Sequence, residues 1–110
     1  MNKEIKLFNI SDRVHEKFKR SVKNNNNTSL EDCKKKLYRN FILGEEVLND
    51  YNGQYIVRKY GKLYIEVDTK EWNVINIENR KSKNIKCFIN DTEKQKLNQL
   101  LGLGGELNER

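Results

Sequence analysis

The sequence predicts an α+β domain with an N-terminal strand, two helices, an antiparallel meander of three or four strands and a short C-terminal helix. Three observations predict it. Apolar residues recur at helical spacing twice between Ser11 and Gly44, and beyond Asn52 the apolar period drops to two. The two patterns also occupy separate stretches of chain, which places two helices on one face of a sheet rather than helices between parallel strands.

The elements follow in order. Ile5, Leu7, Phe8 and Ile10 make Ile5–Ile10 a strand, and Ser11 is placed to cap a helix. Val14, Phe18 and Val22 then recur every four residues as one apolar stripe. The tetrad Asn24–Asn27 ends that helix, because asparagine competes for backbone hydrogen bonds and tolerates left-handed conformations. Thr28-Ser29-Leu30-Glu31 fits a capping box with Thr28 as its hydroxyl. The helix it opens carries Leu30, Cys33, Leu37 and Phe41 on one face and Lys34, Lys35, Lys36 and Arg39 away from it, with Gly44 as its stop.

A polar link around 49–53 leads to strands at Tyr55–Tyr60 and Leu63–Val67 joined at Gly61 in a tight hairpin. Trp72–Ile77 reads as a third strand and Ile85–Ile89 as a fourth. Thr92-Glu93-Lys94-Gln95 fits a second capping box, ahead of Leu97, Leu100 and Leu101. Gly102, Gly104 and Gly105 then break the chain, so residues 1–101 are expected as a single basic domain and 102–110 as a flexible tail.

Composition narrows the function classes. A chain of 110 residues supports one core, and with charged residues at 35% that core must be small. No apolar run approaches the roughly 20 residues of a membrane span, and the N-terminus lacks the apolar stretch of a signal peptide. Cys33 and Cys87 show no metal-ligand spacing, and with a single histidine neither a zinc site nor any other cofactor is expected. A cytoplasmic protein follows as the expectation. The net charge of +6 is divided equally between residues 1–50 and 51–110. A positive domain gains from counterion release on phosphates, which makes nucleic acid the first partner class to consider.

Nucleotide-binding and hydrolase motifs are absent: no Walker loop, GxGxxG, GxSxG or HExxH occurs. What remains suits metal-free phosphodiester cleavage, in which cations hold the phosphate and a base moves the proton of the substrate's own 2′-hydroxyl. Strand parity puts Ile56, Arg58 and Tyr60 on one face of the hairpin and Tyr55, Val57 and Lys59 on the other. Arg80 and Lys81 follow the next strand, with Lys83 and Lys86 beyond. If Arg58 and Arg80 meet on the open sheet face, they form a cationic platform beside Tyr60 or Tyr64. His15 is the one side chain with an ordinary pKa near neutrality. Candidate catalytic residues are therefore Arg58, Arg80, Lys81, Tyr60 and His15, with Lys59, Lys62, Lys83, Lys86, Lys34 and Lys35 as nucleic-acid contacts.

With these residues the chain resembles the RelE/ParE-like toxins and the wider barnase–colicin–RelE group of small RNase folds. Gln54-Tyr55-Ile56-Val57-Arg58 with Gly61 and Leu63-Tyr64-Ile65 is similar to that family's hairpin, and Val74–Lys81 to its following strand. Asn79 stands where many relatives carry His, and Tyr64 where an Arg is common. The resemblance implies a metal-independent endoribonuclease toxin acting on RNA, with an antitoxin protein as partner. Residues 5–44 also resemble a ribbon–helix–helix unit, whose strand would aim Ile5, Leu7 and Asn9 at DNA bases. That resemblance implies a homodimeric, non-enzymatic DNA-binding regulator of plasmid or phage origin, although Asp32 and Lys36 fall where the family's second helix is apolar. A small phage-type protein that binds and inhibits another protein is the third class.

Overall fold

The computed structural model describes residues 5–22, 24–80 and 91–103. Its elements run α1 (Asp12–Ser21), α2 (Leu30–Leu43), β1 (Glu45–Asp50), β2 (Tyr55–Tyr60), β3 (Leu63–Asp68), β4 (Asn73–Asn79) and α3 (Asp91–Leu101). The four strands form one antiparallel sheet in the order β1-β2-β3-β4. Helices α1 and α2 cover one face of it, α1 over β4 and α2 over β2, and α3 packs on α2.

Local chemistry sets these elements. The Ser11 hydroxyl caps α1 by accepting from the Val14 N–H at 3.2 Å, and Val14 and Phe18 are buried one turn apart. Asn24, at φ 67°, takes the left-handed conformation in the connecting loop. The cap of α2 is Ser29 rather than Thr28: the Ser29 hydroxyl accepts from the Asp32 N–H at 3.1 Å, while Thr28 turns back to donate to Asn25 Oδ1 at 2.6 Å. Gly44 ends α2, but not through a left-handed φ. A Cβ there would lie 2.9 Å from the Asn40 carbonyl oxygen and 3.0 Å from that of Lys59, so the chain passes where only glycine fits.

Across the hairpin, the two-residue turn Gly61-Lys62 sets Tyr60 opposite Leu63 and Arg58 opposite Ile65. Gly61 at φ 63° supplies the positive φ of such a turn. Leu63, Ile65 and Val67 therefore share the helix-facing side of β3 and join Phe8, Phe18, Leu37, Phe41, Val74 and Ile77 in one core.

Several sequence expectations are corrected. Ile5–Ile10 is not a strand: only Asn9 pairs, in an isolated parallel bridge to Asn73. Its buried Phe8 is held by Trp72, with ring centroids 4.7 Å apart, and the Trp72 Nε1–H donates to the Lys6 carbonyl at 2.7 Å. β1 is an extra strand that the sequence reading did not assign, and only its last two residues fall in the expected polar link; it has no buried face, so it carries no alternation to read. The expected strand Ile85–Ile89 lies outside the described residues.

Lys36 and Arg39 are buried instead of solvated, because α2 is covered on two sides. Lys36 Nζ donates to Asn25 Oδ1 at 2.8 Å, and Arg39 donates to Asn40 Oδ1 and, across to α3, to Asn98 Oδ1 at 2.8 Å. Thr92 lies within α3, which starts at Asp91. At its other end, Gly102 at φ 75° closes a Schellman motif: Leu103 N–H donates to the Asn98 carbonyl and Gly102 N–H to that of Gln99. Leu103 is consequently buried, so the expected tail is anchored as far as that residue.

Two outcomes follow. Gly44→Ala forces a methyl against two backbone oxygens, and unfolding in urea is expected to show a loss of about 1–3 kcal/mol. Desolvation pushes the Cys33 thiol up to about 12, so iodoacetamide followed by peptide mapping should label Cys33 only after denaturation.

Candidate nucleic-acid interface

The sheet has one covered and one open side, and they separate the two arginines that the sequence pairs. Arg58 lies on the covered side. Its guanidinium sits 4.4 Å from the Phe41 ring centroid, and Nη1 donates to the Phe41 carbonyl at 3.0 Å. It thereby places a cation at the C-terminal end of α2, whose last turn has none of its own. Arg80 lies on the open side, 3.9 Å above the Tyr64 ring and paired with Glu78 at 3.1 Å. Its hydrogen bonds to the Glu78 carboxylate hold its pKa above the usual arginine value. The expected Arg58–Arg80 platform is not assembled. Pairing of Arg58 with Ile65 turns it toward the helices, whereas Tyr64, one residue on, faces out.

Nor does the open face gather cations. The register puts Glu45, Lys59, Tyr64 and Glu78 in one row, Leu48, Val57, Glu66 and Asn76 in the next, and Asp50, Tyr55 and Asp68 in the third. Lys59 is bound to Glu45 at 3.2 Å. The Tyr55 hydroxyl donates to Glu66 at 2.8 Å, and that bond is the first cause of a phenol pKa above its usual value. A groove of about 340 Å³ between Leu48, Tyr55, Tyr64 and Arg80 is floored by Val57. Its one basic side chain, Arg80, is already paired.

The other predicted site residues are dispersed. His15 is tied to the loop before α2, its Nε2 2.8 Å from the Thr28 carbonyl oxygen. A carbonyl can only accept, so Nε2 carries the proton there. Tyr60 is on the covered side, with a buried hydroxyl that has no hydrogen-bond partner and with Lys94 Nζ 5.8 Å from its ring centroid. Lys34 and Lys35 are half-buried on α2, and Lys62 is exposed in the hairpin. Lys81, Lys83 and Lys86 lie outside the described residues.

The cationic surface that the structure does present is on α1. Arg13, Lys17 and Arg20, at spacings of four and three residues, share one side of the helix. Arg13 donates to the Ile75 carbonyl at 2.9 Å and reaches Asn76 Oδ1 at 3.4 Å, which Lys17 also contacts at 3.2 Å. Arg20 donates to the Glu16 backbone carbonyl. All three donate to neutral acceptors and none forms an ion pair among the described residues, unlike Lys19, which pairs with Glu16 at 2.9 Å; Arg20 still lies close enough to help hold the Glu16 carboxyl below its usual pKa, after Lys19. Sequence reading missed the stripe because it followed the apolar side of α1, although the signal was present in the spacing of Arg13, Lys17 and Arg20.

Among the described residues no group of three or more His, Cys, Asp or Glu is placed to hold a metal ion, and no helix is long and apolar enough to cross a membrane. Fold and surface together define a two-layer α+β protein with a cationic helical side and an acidic sheet. The chain belongs to the YorE family, whose profile matches residues 8–101 and so takes in every element from α1 to α3. Neither the curated proteins nor the solved structures contain a match to it.

The separation of the two arginines is open to mutation. Arg58→Ala removes a charged hydrogen bond to a helix terminus and is expected to cost about 1.5–3 kcal/mol in urea unfolding. Tyr60→Phe deletes a hydroxyl without a partner and should change stability by less than about 0.5 kcal/mol.

Proposed function

We propose that this protein binds nucleic acid through its helical layer without cutting it. The observation that carries this reading is the Arg13, Lys17 and Arg20 stripe, three cations on one helix face that form no ion pair among the described residues. The surrounding charge has the same sense: α1 carries four basic side chains against two acidic ones, while the four strands carry six carboxylates against two cations. A phosphate backbone approaching the protein is drawn to the helices and repelled by the sheet. Contacts of this kind position a duplex or single strand by its phosphates and carry no base specificity of their own.

Cleavage is not part of the proposal. The pair of cations that the RelE/ParE resemblance assigns to the scissile phosphate is divided between the two faces of the sheet, and His15 is engaged at Thr28. Membership of the phage-type YorE family is compatible with a phage nucleic-acid-binding protein.

Fluorescence anisotropy with labelled duplex DNA and single-stranded RNA over a range of salt concentrations tests the proposal. Affinity should fall steeply with salt, and the Arg13→Ala/Arg20→Ala variant should flatten the duplex slope by about 0.9 for each phosphate it no longer neutralises. RNA incubated with the protein in EDTA should remain intact. Absence of binding at low salt, or an unchanged slope in the variant, would refute it.

A further inference from the structure

We infer that the outer edge of β1 is a docking site for an extended basic segment of another protein, which adds to the sheet as a fifth strand. The two edges of the sheet are treated differently. At β4, Asn9 bridges to Asn73 and Arg13 of α1 satisfies the Ile75 carbonyl, so the first part of that edge is engaged. At β1 all six residues are exposed, and among the described residues nothing pairs with the side away from β2. An uncovered strand presents a row of main-chain donors and acceptors that an incoming strand can complete.

Side chains select the occupant. β1 carries Glu45, Glu46 and Asp50 and no basic residue. A bulge between Glu46 and Leu48 inserts Val47 as an extra residue, leaving Val47 and Leu48 as adjacent exposed apolar anchors, 44% and 41% accessible. Leu48 also borders the groove floored by Val57, which offers depth for an apolar side chain of the added strand. A second copy of this chain is a poor occupant. Antiparallel pairing of β1 with itself about Val47 and Leu48 sets Glu45 against Asp50 at both ends, and directly opposed like charges destabilise a strand pair. Leu48 pairs with the open-side Val57 and Glu46 with the helix-side Arg58, so a segment alternating Lys or Arg with apolar residues sets its apolar side chains beside Leu48 and its cations beside Glu46. The inference does not rest on the nucleic-acid reading, since it uses the opposite side of the charge distribution.

Two labelled short peptides, one alternating Lys with Val and the other Glu with Val, test it by anisotropy and by amide chemical shifts of the whole protein. The net charge of +6 works against the Lys peptide everywhere except at the acidic sheet, so a preference for it reports local recognition. The Lys peptide is expected to bind at least about tenfold tighter, with shifts centred on residues 45–50. The Glu46→Lys/Asp50→Lys variant, altered only at exposed positions, should reverse the preference. Equal binding of both peptides, binding of neither, or shifts centred on α1 would overturn the inference. So would a dimer that Leu48→Asp dissociates, because a second copy would then be the occupant.

Discussion

Leu63, Ile65 and Val67 turn alternate side chains of β3 into the space occupied by Phe18, Leu37 and Phe41, and burial of that aliphatic row constrains everything else. Each such side chain contributes roughly 1.5–3 kcal/mol when removed from water. A shift of one residue would send all three to solvent, so the register of β3 is strongly fixed. The two-residue turn at Gly61-Lys62 transmits it to β2, and Arg58 is carried inward opposite Ile65. There its guanidinium meets an aromatic face and the carbonyl end of a helix without a cation in its last turn, while its buried Nε has no hydrogen-bond partner.

The same constraint divides the charge. Once the aliphatic row faces the helices, the alternate positions Tyr64, Glu66 and Asp68 must face out, and their partners across the sheet include Glu78 and Lys59. The open face thus becomes polar and predominantly acidic, while the outward side of α1 holds Arg13, Lys17 and Arg20. An overall positive charge, read as a property of the whole domain, is in the structure a difference between two layers.

Much of this was legible. Helical spacing in Val14 and Phe18, the Ser11 cap, the hairpin limits around Gly61 and the α+β layering all correspond to local patterns with a single physical reading. The misreadings have separate physical causes. β1 has no buried side, so Glu45–Asp50 shows no alternation, and the strand exists through its hydrogen bonds to β2. Lys36 and Arg39 look like a solvated helix face until the loop before α2 supplies Asn25 to the first and α3, distant in sequence, supplies Asn98 to the second. Ile5–Ile10 has the composition of a strand, but its residues are spent on packing Phe8 against Trp72 rather than on ladder bonds. The split between Arg58 and Arg80 was available in principle. Parity alone left both faces of β2 eligible for burial, but a two-residue hairpin puts Arg58 opposite Ile65, and the buried face of β3 is the unambiguous one.

Proton NOEs in solution test the division of the two arginines most directly. The account predicts contacts from the Arg58 side chain to the Phe41 ring and from the Arg80 side chain to the Tyr64 ring, each with ring-current shifts of the guanidinium-bearing methylenes. Contacts joining Arg58 to Tyr64 or to Arg80 would place both cations on one side of the sheet and contradict it.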